Sequence, residues 1–310
     1  MRYLVIILVF VLQAGFAVPP PRYSTSVSFD NSRKKAVLFG GYYKGQLYGD
    51  TWEWDGSNWE SKTATGPSPR NGPVTAYDSK RKVIILFGGD ERGKALSDTW
   101  QWDGKEWKLL ATEGPPARSL HTLTFDSKRN VVVLFGGVAN NTPLNDVWEW
   151  NGKLWKQVNI TAGPDARFLH ASTYDEERKM VLIYGGNHTF GAATTSASVR
   201  GDLWGWDGKK WTELATDGPA PRDHAGLVYN PSTKRTLLHG GGIPGGNIGD
   251  TWEWDARSWT KMSETSSAPQ AGYKLFYDSK SNRIILYGGF EGGGASESLW
   301  EWNGEWVELK

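Results

Sequence analysis

The chain has 310 residues, including 38 Gly and 18 Trp but no Cys, and its 35 Lys plus Arg nearly cancel its 34 Asp plus Glu. That balance withholds the broad positive field that nucleic acid or an anionic membrane would need. The missing cysteine excludes disulfides, zinc-thiolate sites, cysteine nucleophiles and sulfur-linked cofactors.

The first element reads as a secretory signal peptide. Met1-Arg2-Tyr3 is followed by an apolar run from Leu4 to Leu12 and then by Gln13-Ala14-Gly15-Phe16-Ala17, the charge, apolar and small-residue order such peptides share. Cleavage is expected after Ala17. The run falls short of the roughly 20 residues a spanning helix needs, and Pro19-Pro20-Pro21 stops it. The expected mature chain, 18–310, is therefore secreted or periplasmic, a single domain with no membrane insertion after cleavage.

From there the sequence repeats. Gly-Gly closes an apolar run at Gly40-Gly41, Gly88-Gly89, Gly136-Gly137, Gly185-Gly186, Gly240-Gly241 and Gly288-Gly289, at spacings of 48, 48, 49, 55 and 48. A Trp-x-Trp follows each pair (Trp52/Trp54, Trp100/Trp102, Trp148/Trp150, Trp204/Trp206, Trp252/Trp254, Trp300/Trp302). A third Trp then follows a tight turn, at Trp59, Trp107, Trp155, Trp211, Trp259 and Trp306, so six triads use all 18 tryptophans. The units start near 22, 70, 118, 167, 222 and 270.

Each unit holds four strand patterns. In the third they are Thr122 to Phe125, Val131 to Phe135, Val147 to Trp150, and a strand starting at Trp155, rich in β-branched and aromatic residues and separated by turn residues such as Asn151-Gly152. Helical periodicity is absent. Four-stranded antiparallel sheets with apolar faces, repeated six times, bury those faces by packing radially around an axis. The expected fold is all-β, a six-bladed propeller.

The Pro-x-Arg or Pro-Arg entry, double glycine, Asp-x-Trp and downstream Trp resemble the kelch-repeat family, over Arg22 to Lys310. The resemblance specifies fold and leaves function open. Kelch-like enzymes include galactose oxidase, whose copper centre uses a tyrosine crosslinked to cysteine; a chain without cysteine cannot build it. A closer analogy is the periplasmic sialic acid mutarotase, a secreted six-bladed propeller that needs no metal. No cofactor is expected.

Residues present in every unit read as scaffold. The two indoles of each Trp-x-Trp share a strand face and pack between blades, and the double glycines mark close backbone approach, with no helix following them to bind phosphate. Five units carry an entry arginine (Arg22, Arg70, Arg118, Arg167, Arg222) and an aspartate before the Trp pair (Asp50, Asp98, Asp146, Asp202, Asp250). The sixth has Gln270 and Ser298 instead, a joint loss that points to Arg–Asp pairing. The same arginines, with His121 and His170 three residues after two of them, are also candidates for the mouth of the central channel.

Alternating strand direction places the short turns on one face and the longer connections on the other: eight residues between Gly-Gly and Asp, fifteen (Asn187 to Gly201) in the fourth unit. Function usually sits on such variable loops. The ligand-face candidates are the residues there that break the repeat: Tyr42, Tyr43, Arg92, Phe168, His188, Phe190, Arg200, Tyr273 and Phe290. Together they describe an aromatic, mildly basic rim suited to a glycan or protein partner. Catalytic signatures are lacking, so a binding module is favoured; the alternative is a carbohydrate-active isomerase of the mutarotase type, with a metal-free acid/base site at the channel mouth. Asn140, Asn159 and Asn187 begin Asn-x-Ser/Thr sequons that matter only in a eukaryotic secretory pathway.

Overall fold

The computed structural model describes residues 18–189, 196–243, 245–291 and 294–309. The expected leader, residues 1–17, lies outside the described residues, as does Phe190. Among the described residues there are six four-stranded antiparallel sheets, each with its strands in sequence order from the axis outward. The third blade is Thr122–Asp126, Val131–Phe135, Val147–Trp150 and Trp155–Val158, matching the expected strands to within a residue. The inner strands of consecutive blades touch, and that of the sixth (Tyr273–Asp278) touches that of the first (Ser26–Asp30), closing the ring.

Closure uses side-chain packing, because each sheet is complete within its own repeat. Phe29 stacks on Phe276 at 6.1 Å, and Trp59 meets Tyr287 at 5.0 Å. The other blade junctions use the same outer contact: Trp107 on Phe39, Trp155 on Phe87, Trp211 on Phe135, Trp259 on Tyr184 and Trp306 on His239, at centroid distances of 4.8–5.6 Å. The third Trp of each unit thus packs on the aromatic position of the preceding blade's second strand. Such pairs add stabilisation beyond the area they bury.

The double glycines permit a close approach between blades. Gly136 and Gly137 both have positive φ (64° and 94°), and the Gly137 amide donates to the Arg167 carbonyl at 2.9 Å. A Cβ on Gly136 would lie 2.6 Å from that same oxygen, so an L side chain is barred by space as well as by conformation.

The longer connections are more regular than the sequence indicates. In five blades they fold into two-stranded ribbons, for example Tyr42–Tyr43 with Gln46–Leu47 and Asp90–Glu91 with Lys94–Ala95. Lys44-Gly45 and Arg92-Gly93 turn these ribbons with positive φ at both positions, as a tight hairpin turn requires. The fourth blade instead carries a short 3-10 helix, Ser196–Ser198. Entry segments bridge to these connections at Tyr23/Tyr42, Asn71/Asp90, Ser119/Val138, Phe168/Asn187 and Asp223/Gly242, so entries and ribbons share one face, as expected. On the opposite face the short turns interlock: Arg178 donates to the Asp255 carbonyl at 2.9 Å and Lys280 to that of Asp55 at 2.6 Å.

Candidate functional site

The five entry arginines do not line an opening; each is at most 1% exposed. Arg118 is representative. Its Nε donates to the Pro116 carbonyl (3.0 Å), Nη1 to the Gly136 carbonyl (2.9 Å) and to Asp146 Oδ1 (2.6 Å), and Nη2 to Asp146 Oδ2 (2.7 Å). Arg22, Arg70, Arg167 and Arg222 pair likewise with Asp50, Asp98, Asp202 and Asp250. Each aspartate also accepts the indole N–H of the Trp two residues later, as Asp146 does from Trp148 at 2.7 Å. Burial pulls the Asp146 pKa upward, but Arg118 and then Trp148 outweigh it and hold the carboxyl below its usual range. In the sixth blade the Trp300 indole donates to Ser298 Oγ at 3.0 Å instead.

His121 and His170 are also interior, 4% and 6% exposed. They pack edge-on against Phe87 and Phe135 of the preceding blades. Burial drives both pKa values down, that of His170 to about 3, so neither carries charge near neutrality. His170 Nε2 lies 2.8 Å from Thr122 Oγ1. Among the described residues no group of three or more His, Cys, Asp or Glu side chains is arranged to hold a metal ion.

The ligand-face candidates divide. Phe168 and Tyr273 are packing residues, each 5% exposed. In the fourth blade Val199 bridges to Asn187 and Asn187 to Phe168, so the longer connection adds a third segment beside the entry. Tyr273 follows the entry closely enough to lie in the inner strand, where its hydroxyl donates to the His239 carbonyl and accepts from the Gly226 amide. His188 Nδ1 is tied to the Ser198 carbonyl at 2.7 Å, and Arg200 pairs with Asp165 at 2.8 Å. Asn187 is itself 3% exposed, whereas Asn140 and Asn159 are exposed.

Tyr42, Tyr43, Arg92 and Phe290 do come together, around a residue the sequence reading missed. Tyr23 meets Tyr42 edge-on at 5.5 Å, Tyr43 at 6.5 Å and Phe290 at 4.9 Å, making one aromatic cluster across the junction of the first and sixth blades. Phe290 is 43% exposed. Beside the cluster a cavity of about 210 Å³ is lined by Tyr23, Tyr42, Leu47, Asn71, Asp90 and Arg92. Asn71 Oδ1 is buried there without a hydrogen-bond partner. The signal for Tyr23 was its place, directly after an arginine present in five units, where the others carry Asn71, Ser119, Phe168 and Asp223.

A second opening runs along the axis. Its cavities share walls from one end to the other: the upper part is ringed by Ser24, Gly72, Leu120, Leu169, His224 and Gly272, and the lower part extends to Tyr77, Tyr174, Tyr229 and Tyr277. The six upper residues all have positive φ, 51–75°.

Radial four-stranded sheets closed by packing, with the irregular connections on one rim, define a six-bladed β-propeller. The KLHDC2/KLHL20/DRC7 Kelch-repeats domain matches residues 56–218, and the chain belongs to this kelch-repeat family. The solved structure described as "Structure of YjhT" superposes with a TM-score of 0.72 over 94% of this chain and 99% of that one, at 14% identity, a likeness of fold. No curated protein matches the chain by sequence.

Proposed function

We propose that this kelch propeller is a secreted binding module that holds a protein partner on the ribbon face, centred on Tyr23, Tyr42, Tyr43, Phe290 and Arg92. The observation that carries the reading is the half-buried aromatic cluster, with Phe290 exposed, beside a cavity that has one unpartnered buried acceptor, Asn71 Oδ1, and Arg92, which has no ion pair among the described residues. Tyr, Phe and Arg are the side chains enriched at the centres of protein interfaces. Secretion rests on the order of residues in the first seventeen positions.

The mutarotase-type alternative would be favoured by a buried carboxylate at the axis beside convergent arginines. Among the described residues the walls of the upper axial cavities contain no carboxylate, and the arginines that might have converged there are taken up by their aspartates. These placements favour binding over isomerisation.

Screening the mature chain against a displayed peptide library and a glycan array in parallel tests the reading. Replacing Tyr42 and Arg92 together by alanine should weaken peptide binding at least about tenfold, the scale of interface hot spots, with thermal stability unchanged. Undiminished affinity, or hits confined to the glycan array, would refute it.

A further inference from the structure

Six equivalent positions of the inner strands sit opposite the aromatic position of the second strand: Ser26 opposite Phe39, Val74 opposite Phe87, Thr122 opposite Phe135, Ala171 opposite Tyr184, Gly226 opposite His239 and, in the sixth blade, Lys274 opposite Tyr287. Five are small or medium-sized and uncharged; the sixth is a lysine. Lys274 lines two adjoining cavities of the upper channel, of about 160 and 110 Å³, with Val74, His170, Ala225 and Tyr273.

Nothing in these walls neutralises it. Among the described residues Lys274 makes no salt bridge, and neither cavity is lined by Asp or Glu. His170, on the same walls, is uncharged near neutrality. The nearby hydroxyls are engaged within the protein: Ser26 Oγ donates to the Phe39 carbonyl, Thr122 Oγ1 contacts His170, and the Tyr273 hydroxyl bonds to the His239 carbonyl. A half-buried ammonium in a channel whose walls hold no counter-ion is less well solvated than one in open water, and burial accordingly pushes the Lys274 pKa down.

We propose that Lys274 anchors a site in the upper axial channel for a small monocarboxylate, which enters from the ribbon face and supplies the counter-charge the fold omits. The site is separate from the aromatic rim. Its size admits a short carboxylate, and Lys274 is the one lysine or arginine in its walls, His224 of the smaller cavity being bonded to Asp223 at 2.8 Å, so one anionic group is matched.

Two linked measurements on the mature chain with acetate as probe test this. Carbon-13 labelling at lysine Cε gives the Lys274 titration by NMR, and thermal melts at constant ionic strength read stabilisation. Acetate should raise the Lys274 pKa and increase Tm in step with the logarithm of its concentration, as binding to the native state alone requires; acetamide, the neutral isostere, should do neither. Lys274→Met, which removes an unpaired charge and keeps the volume, should melt no lower than wild type without acetate and lose the acetate response. A Lys274 titration indifferent to acetate, or equal acetate stabilisation of wild type and K274M, overturns the proposal. A K274M chain that melts well below wild type overturns its premise that the charge is unpaired.

Discussion

Replacing Arg118 with glutamine should lower the free energy of unfolding by about 3–5 kcal/mol, the cost of removing one partner from a buried ion pair. The guanidinium is fully buried, while the side chain of Asp146 retains 18% exposure. The substitution leaves that carboxylate with the Trp148 indole as its remaining side-chain donor and leaves the Pro116 and Gly136 carbonyls without the arginine. The decisive comparison is already present in the molecule, because the sixth blade carries Gln270 and Ser298 at the two positions and keeps the Trp300 indole bonded through Ser298. The double variant Arg118→Gln/Asp146→Ser should therefore be distinctly more stable than Arg118→Gln alone. Urea denaturation of wild type, both single variants and the double variant closes a double-mutant cycle. Additive losses would show that arginine and aspartate serve the fold independently.

The joint absence of Arg and Asp from one unit is also what made the pair visible in the sequence. Repetition turned the chain into its own comparison: what recurs in five or six units answers a demand of the scaffold, the double glycines and the third tryptophans as blade-to-blade contacts and the entry arginines as ties within their own blade. Departures from the repeat were harder to read. Tyr42, Tyr43, Arg92 and Phe290 do lie on the ribbon face, but Phe168 and Tyr273, equally irregular, are buried. A position in sequence fixes the blade and the strand end; whether a side chain there points inward depends on what the adjacent connection adds, as Val199 and Asn187 do beside Phe168.

Lys274 escaped notice for a related reason. Its column of Ser26, Val74, Thr122, Ala171 and Gly226 has no shared chemistry, so a lysine in it breaks no visible motif. Only the strand register shows that these five positions and the lysine stand opposite the same aromatic layer. The ribbons were hidden in the same way, since Lys44-Gly45 and Arg92-Gly93 are short turns flanked by two-residue strands, too brief for alternation to appear.

The second large effect is a loss of stability on mild acidification, beginning well before the carboxylates titrate. Three histidines are buried and neutral: burial puts His121 well below its ordinary value, His170 at about 3 and His239 at about 4. In the unfolded chain each would titrate near 6.5, so between about pH 6.5 and 4 the unfolded state binds more protons and stability falls as pH falls. Above about pH 6.5 their contribution is complete, and His239 alone accounts for a difference on the order of 3 kcal/mol once its folded-state pKa is passed. The arginine-paired aspartates also have lowered pKa values, so their contribution is retained above about pH 4 and fails only below it. The two groups therefore occupy successive windows. His239 is the residue to change, because it stands where three other blades have Phe39, Phe87 and Phe135, and Trp306, which packs on it, also donates to Thr251 Oγ1 at 3.1 Å. His239→Phe should keep the fold and remove about one proton from the slope of unfolding free energy against pH between 6.5 and 4. Urea titrations across that range measure the slope directly. A flat wild-type profile would mean that the buried imidazoles are not neutral, and an unchanged slope in H239F would place the titrating group elsewhere.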